Sequence, residues 1–148
     1  AVELDSQQRI KELATQDFLL ALMSVERGAV DVAEGLKAEF FEGVERQALF
    51  AYLISNPGHS LAQTIPDELQ EIETYVKIVL LKAETRYNTL DGAERLVEAV
   101  SLVRQVKQQH KKRQKLSLTE ALRDAESAHN DAESDRIRAA LNALIKEK

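Results

Sequence analysis

The sequence contains no cysteine and no tryptophan, one methionine (Met23), five glycines and two prolines in 148 residues. Without cysteine there is no disulfide framework and no thiolate zinc site. A reducing, cytoplasmic setting fits that composition. No apolar run approaches the roughly 20 residues that cross a bilayer, and no signal-peptide pattern precedes the first helix, so no membrane role is expected. Aromatic residues are only 5% of the chain. The scarcity of Gly, Pro and aromatics, set against abundant Ala, Leu, Glu, Lys, Gln and Arg, favours helix over sheet. A start at Ala1 with Met23 as the sole methionine reads as a piece of a longer protein.

Charge is distributed unevenly. Through Gly92 there are 8 Lys/Arg against 16 Asp/Glu; from Ala93 onward there are 12 against 9. The two parts therefore present different surfaces to a partner.

Apolar spacing predicts an all-α chain. Ile10, Leu13, Ala14, Phe18, Leu20 and Leu22 recur near a helical period; Asp5 or Ser6 can cap that helix, and Thr15 can open a second segment after a small break. "AVDVAEGL" reads as a short helix. In "AEFFEGVERQALFAYLIS" Gly43 sits where the next helix begins. "NPGHS" is a turn, and Pro66 suits the first position of a following helix that carries Leu69, Ile72, Tyr75, Val76, Val79, Leu80 and Ala83. Asp91 and Glu94 have capping-box spacing. Leu96, Val97, Val100, Val103 and Val106 then read as one stripe.

From Ala93 to the C-terminus there is no Gly or Pro, and the only corner is "AESAHNDAESD", where Asn130 or Asp131 can cap a final helix and Glu133 offers a second box. Ile137, Ala140, Leu141, Leu144 and Ile145 form its apolar stripe, answered by Leu118, Ala121, Leu122 and Ala125. Between the stripes lies "KQQHKKRQK", residues 107–115, with nothing apolar to bury. A helix polar all round is usually one that bridges two packed bodies. The expected architecture is thus a compact helical bundle over 1–106, a polar helical connector over 107–115, and a C-terminal antiparallel helical hairpin over 116–148.

A hairpin of that size has one seam, and its apolar burial does not offset the entropy of ordering it. It therefore calls for a surface to dock on, whether the bundle, a second copy or a partner, and the helix-in-groove mode is the obvious use. Leu118, Leu122, Ile137, Leu141, Leu144 and Ile145 are the anchors expected to meet a partner, which includes weak self-association through a second copy.

Catalytic patterns are missing from the sequence. "ESAH" places Glu126 and His129 at the i, i+3 spacing of di-iron bundles, but once only, so no metal or other cofactor is expected. His59 and His110 are expected to be exposed, and Ser55, Ser60 and Ser101 lack a nucleophile-elbow context. Lys107, Lys111, Lys112, Arg113 and Lys115 could touch phosphates, but they lack interleaved aromatics and the rest of the chain is acidic, so direct nucleic-acid binding is not expected.

The order of elements resembles a known family. "QDFLLALMSV", then "AEFFEGVERQALFAYLI", then a capped amphipathic helix and a long helix entering a hairpin that ends "RIRAALNALIKEK" resemble the C-terminal helicase-binding domain of bacterial DnaG-type primases. The bundle part is also similar to the N-terminal domain of the replicative hexameric helicase, which shares that fold. The long polar helix and "ALRDAESAHNDAESDRIRAALNAL" favour the primase side. The resemblance implies that the bundle modulates the helicase and that the hairpin attaches to the N-terminal domains of the helicase ring. Primer synthesis would reside elsewhere in the parent protein. A self-associating helical scaffold is the reading that stands apart from this family.

Overall fold

Asp91 and Glu94 close the capping box that their spacing predicts: the Glu94 backbone N–H donates to Asp91 Oδ1 at 2.8 Å and the Asp91 N–H to Glu94 Oε1 at 3.2 Å. They start the longest of the six α-helices among the described residues, which in this computed structural model are 6–57, 61 and 64–147. In chain order the helices are α1 (Ser6–Val25), α2 (Arg27–Ala33), α3 (Gly43–Ser55), α4 (Glu73–Tyr87), α5 (Gly92–Ser127) and α6 (Asp131–Lys146). Two 3₁₀ segments, Ala38–Phe40 and Asp67–Ile72, precede α3 and α4. The described residues contain no strand, so the fold is all-α. The chain divides into two compact units, Ser6–Lys107 and a second containing Gln108–Lys148. Helix α5 runs through that boundary without a break.

In the first unit α1 is the central helix, packing against α2, α3 and α4. Leu19, Leu20, Ala21 and Leu22 are fully buried, so its second half is covered on nearly all sides. Around it lie Phe41 and Phe50, stacked with centroids 4.6 Å apart, and Leu49, Val76, Val79, Ala83, Tyr87, Ala99 and Val106. The break expected at Thr15 does not occur. The Thr15 hydroxyl donates to the Lys11 carbonyl at 2.9 Å, and α1 continues through it. Asp5, the alternative cap, lies outside the described residues.

Helix α3 starts at Gly43 as expected, with φ +86°, a value that favours glycine because no Cβ meets the carbonyl. It has no side-chain cap of its own. Instead the fully buried Gln16 of α1 accepts the Glu42 N–H at 2.8 Å, and Gln47 donates to the Phe41 carbonyl at 3.0 Å. Pro66 precedes a 3₁₀ segment and not an α-helix; α-geometry begins only at Glu73. In 3₁₀ geometry residues three apart eclipse, so Leu69 and Ile72 share a side, and Leu69 is buried there.

The stripe expected on α5 splits. Ala99, Leu102, Val103 and Val106 face the core, whereas Val97 is 73% exposed and Val100 45%. Each three-residue step falls about 60° short of a full turn at about 100° per residue, so three steps from Val97 reach the opposite face at Val106. Leu96 lies at the edge between these faces; a Cβ on Gly28 of α2 would come within 2.5 Å of its Cδ2. Arg95 secures the α4–α5 turn, donating to the Tyr87 carbonyl at 3.1 and 3.0 Å.

Candidate functional site

The hairpin is built from its corner outward. The N–H of Asn130 donates to the Ala125 carbonyl at 2.9 Å and that of His129 to the Glu126 carbonyl at 3.1 Å. His129 has φ +55°, the left-handed position that usually takes Gly or Asn. This Schellman arrangement ends α5 without any glycine. Asn130 then caps α6, its Oδ1 accepting the Glu133 N–H at 3.2 Å. The second capping box does not close, because the Asn130 N–H is already used and the Glu133 carboxylate pairs with Arg136. That hydrogen bond holds Glu133 below, and Arg136 above, its ordinary pKa.

From the corner α6 runs back along α5. Glu126 accepts from Arg138 at 2.8 Å near the corner, and at the far end the Lys111 ammonium donates to the Glu147 carbonyl. Sixteen residues at about 1.5 Å each extend about 24 Å, long enough to reach the polar run. The nonapeptide is therefore not a separate connector. All but Lys107 belong to the hairpin unit, and Gln109, His110, Lys111 and Arg113 are half-buried, while Lys112 and Lys115 are exposed. The expectation that His110 is exposed fails with it. His59 and Ser60 lie outside the described residues.

Among the six expected anchors, Ile137 and Leu144 are buried and form the seam with Ala125 and Ser134. Leu118, Leu122 and Leu141 are half-buried, and Ile145 is 63% exposed. Burial of Ser134 was not legible in the apolar stripe; its position three residues before Ile137 was the only signal. The hairpin has a narrow closed seam and a leucine-rich margin that keeps solvent contact.

Asp17 of α1 is nearly buried and accepts from Nε and Nη2 of Arg46, at 2.9 and 3.1 Å, together with the Tyr75 hydroxyl. The Arg46 guanidinium also lies 5.6 Å from the Tyr75 ring centroid. Burial opposes the Arg46 charge, but the hydrogen bond and charge of Asp17 outweigh it and raise its pKa. Burial, then the Asp17 hydrogen bond, pushes the Tyr75 hydroxyl far above the usual tyrosine range. These groups satisfy one another, which ties α1, α3 and α4 together and leaves no poised acid or base. With partners 29 and 58 positions apart in the sequence, no motif marks the network. Its one trace is an acidic residue inside "QDFLLALM".

Among the described residues no three His, Asp or Glu side chains converge as metal ligands. Glu126 of "ESAH" is engaged by Arg138, and His129 is exposed at the corner. No described helix is long and apolar enough to cross a membrane. Comparison with protein-family models, curated proteins and solved structures finds no match to this chain.

Proposed function

We propose that this chain is the helicase-docking module of a bacterial DnaG-type primase, non-catalytic in itself, which attaches through its C-terminal hairpin to the N-terminal domains of the replicative hexameric helicase. One observation supports the reading above the others. A helical bundle continues through an uninterrupted 36-residue helix into a separate hairpin unit whose Leu118, Leu122, Leu141 and Ile145 keep solvent contact. This matches the order of elements on which the family resemblance rests. The N-terminal domain of the replicative helicase shares the bundle fold, and the long polar helix and the C-terminal hairpin sequence favour the primase side. Primer synthesis would be carried out by other domains of the parent protein, and docking would hold them where template strand emerges.

The test is co-elution of the full chain with the replicative helicase of the same organism. Complex formation is expected with the native sequence and is expected to be lost in Leu141→Asp or Ile145→Asp, with circular dichroism showing the helices retained. Failure of the native chain to co-elute at concentrations well above its expected affinity overturns the primase reading. Undiminished binding by both variants overturns the assignment to the hairpin.

A further inference from the structure

The charge of the hairpin changes sign along its length, and this selects a partner for its open margin. Residues 108–118 and 141–147, away from the corner, hold five Lys/Arg against one acidic residue. Residues 119–140, around the corner, hold six acidic residues against three arginines. Spacing of four residues places Leu118 and Leu122 on one side of α5, and Leu141 and Ile145 on one side of α6. Measured from Ala125 and Ile137, the two buried seam residues, both pairs fall on the side of the seam that carries the Glu126–Arg138 ion pair. Lys111 and Lys115 lie on that side at the basic end, and Asp131 lies there at the acidic end.

We infer that this margin is an interface between two copies of the hairpin, packed end for end about a two-fold axis into a four-helix bundle. A body basic at one end and acidic at the other is complementary to its own copy only when one is reversed, which a two-fold axis perpendicular to the helices accomplishes. Lys111 and Lys115 of each copy then face Glu126 and Asp131 of the other, beside the contacts that Lys111 and Glu126 make within their own hairpin, and the apolar pairs Leu118/Leu122 and Leu141/Ile145 close against the other copy. A parallel arrangement sets like charge on like. The available face, about 24 Å long and about two helix diameters wide, buries roughly 1,000 Å² in total, the lower limit of specific interfaces. An interface of that size makes a weak association the expectation. The pairing is argued from the hairpin alone, and it uses the margin that the helicase reading also assigns, so the two associations compete for one face.

Sedimentation equilibrium of the full chain, without any other protein, tests it. The mass is expected to rise from the monomer value of 16.6 kDa toward twice that value with concentration, less steeply in high salt. Ile145→Asp, at a position already exposed, is expected to keep the chain monomeric with its helicity unchanged. The double variant Lys111→Glu, Lys115→Glu is expected to weaken pairing at least about tenfold, and mixing it with Glu126→Lys, Asp131→Lys to restore a mixed dimer. A chain that stays monomeric throughout overturns the proposal and leaves the margin to a different protein. Association that is indifferent to Ile145→Asp, or charge-reversed variants that do not pair with each other, overturns this face or this orientation.

Discussion

The two units of this chain are built from the same residue types with opposite emphasis. In Ser6–Lys107 a central helix is surrounded in its second half, where Leu19, Leu20 and Leu22 have no solvent contact. Two of its three buried polar side chains, Gln16 and Asp17, are hydrogen-bonded to distant elements. The hairpin buries only Ala125, Ile137 and Leu144 among its apolar side chains, and it is held mainly by capping and by contacts at its two ends. A core of that size confers little stability by itself, whereas a surrounded helix confers much. The contrast assigns most of the stability to the bundle.

Removing a core leucine is the strongest way to break that contrast. Leu20→Ala leaves a cavity under α1 and is expected to cost about 3–4 kcal/mol, melting the whole bundle earlier. Ile137→Ala, equally a buried large-to-small change, is expected to increase hydrogen exchange in α6 while α1 and α4 keep their protection. Equal loss of protection in both units would show that the hairpin is not separately stable.

The Asp17 network comes next. Asp17→Asn removes one charge from a pair that is only partly exposed, and is expected to cost about 2 kcal/mol in denaturant unfolding. An unchanged midpoint would mean that the network is incidental. The same region sets the alkaline limit. Tyr75 and Tyr87 both titrate above the ordinary value, Tyr87 being raised to about 12, first by burial. A phenol whose pKa is raised by folding contributes stability that is intact below the unfolded value of about 10 and is lost as pH climbs through the folded one. Stability is therefore expected to fall above about pH 10, and Tyr75→Phe to flatten that fall. A pH profile identical in the variant rules out Tyr75 as a source.

The smallest effects sharpen the hairpin side. Asn130→Ala removes the α6 cap and is expected to cost about 1 kcal/mol. His129→Gly relieves a left-handed position and is expected to gain a little under about 1 kcal/mol. Both are read from hairpin helicity on heating, and a loss with glycine would show that the His129 side chain holds the corner.

What was legible in the residues was local. Helix character, the Asp91–Glu94 box, the start at Gly43, the corner near Asn130 and the seam positions Ile137 and Leu144 follow from interactions within about four residues, which composition and spacing express directly. Three features were decided only by tertiary packing. Which apolar face of α5 turns inward depended on where α1 and α4 lie, so Val97 and Val100 stayed outside. The polar run became part of the hairpin because α6 is long enough to reach Lys111. Asp17, Arg46 and Tyr75 met only once three helices were assembled. Local rules operate over one helical turn, whereas burial and ion pairing depend on distances through space, and those exist only after the chain has folded.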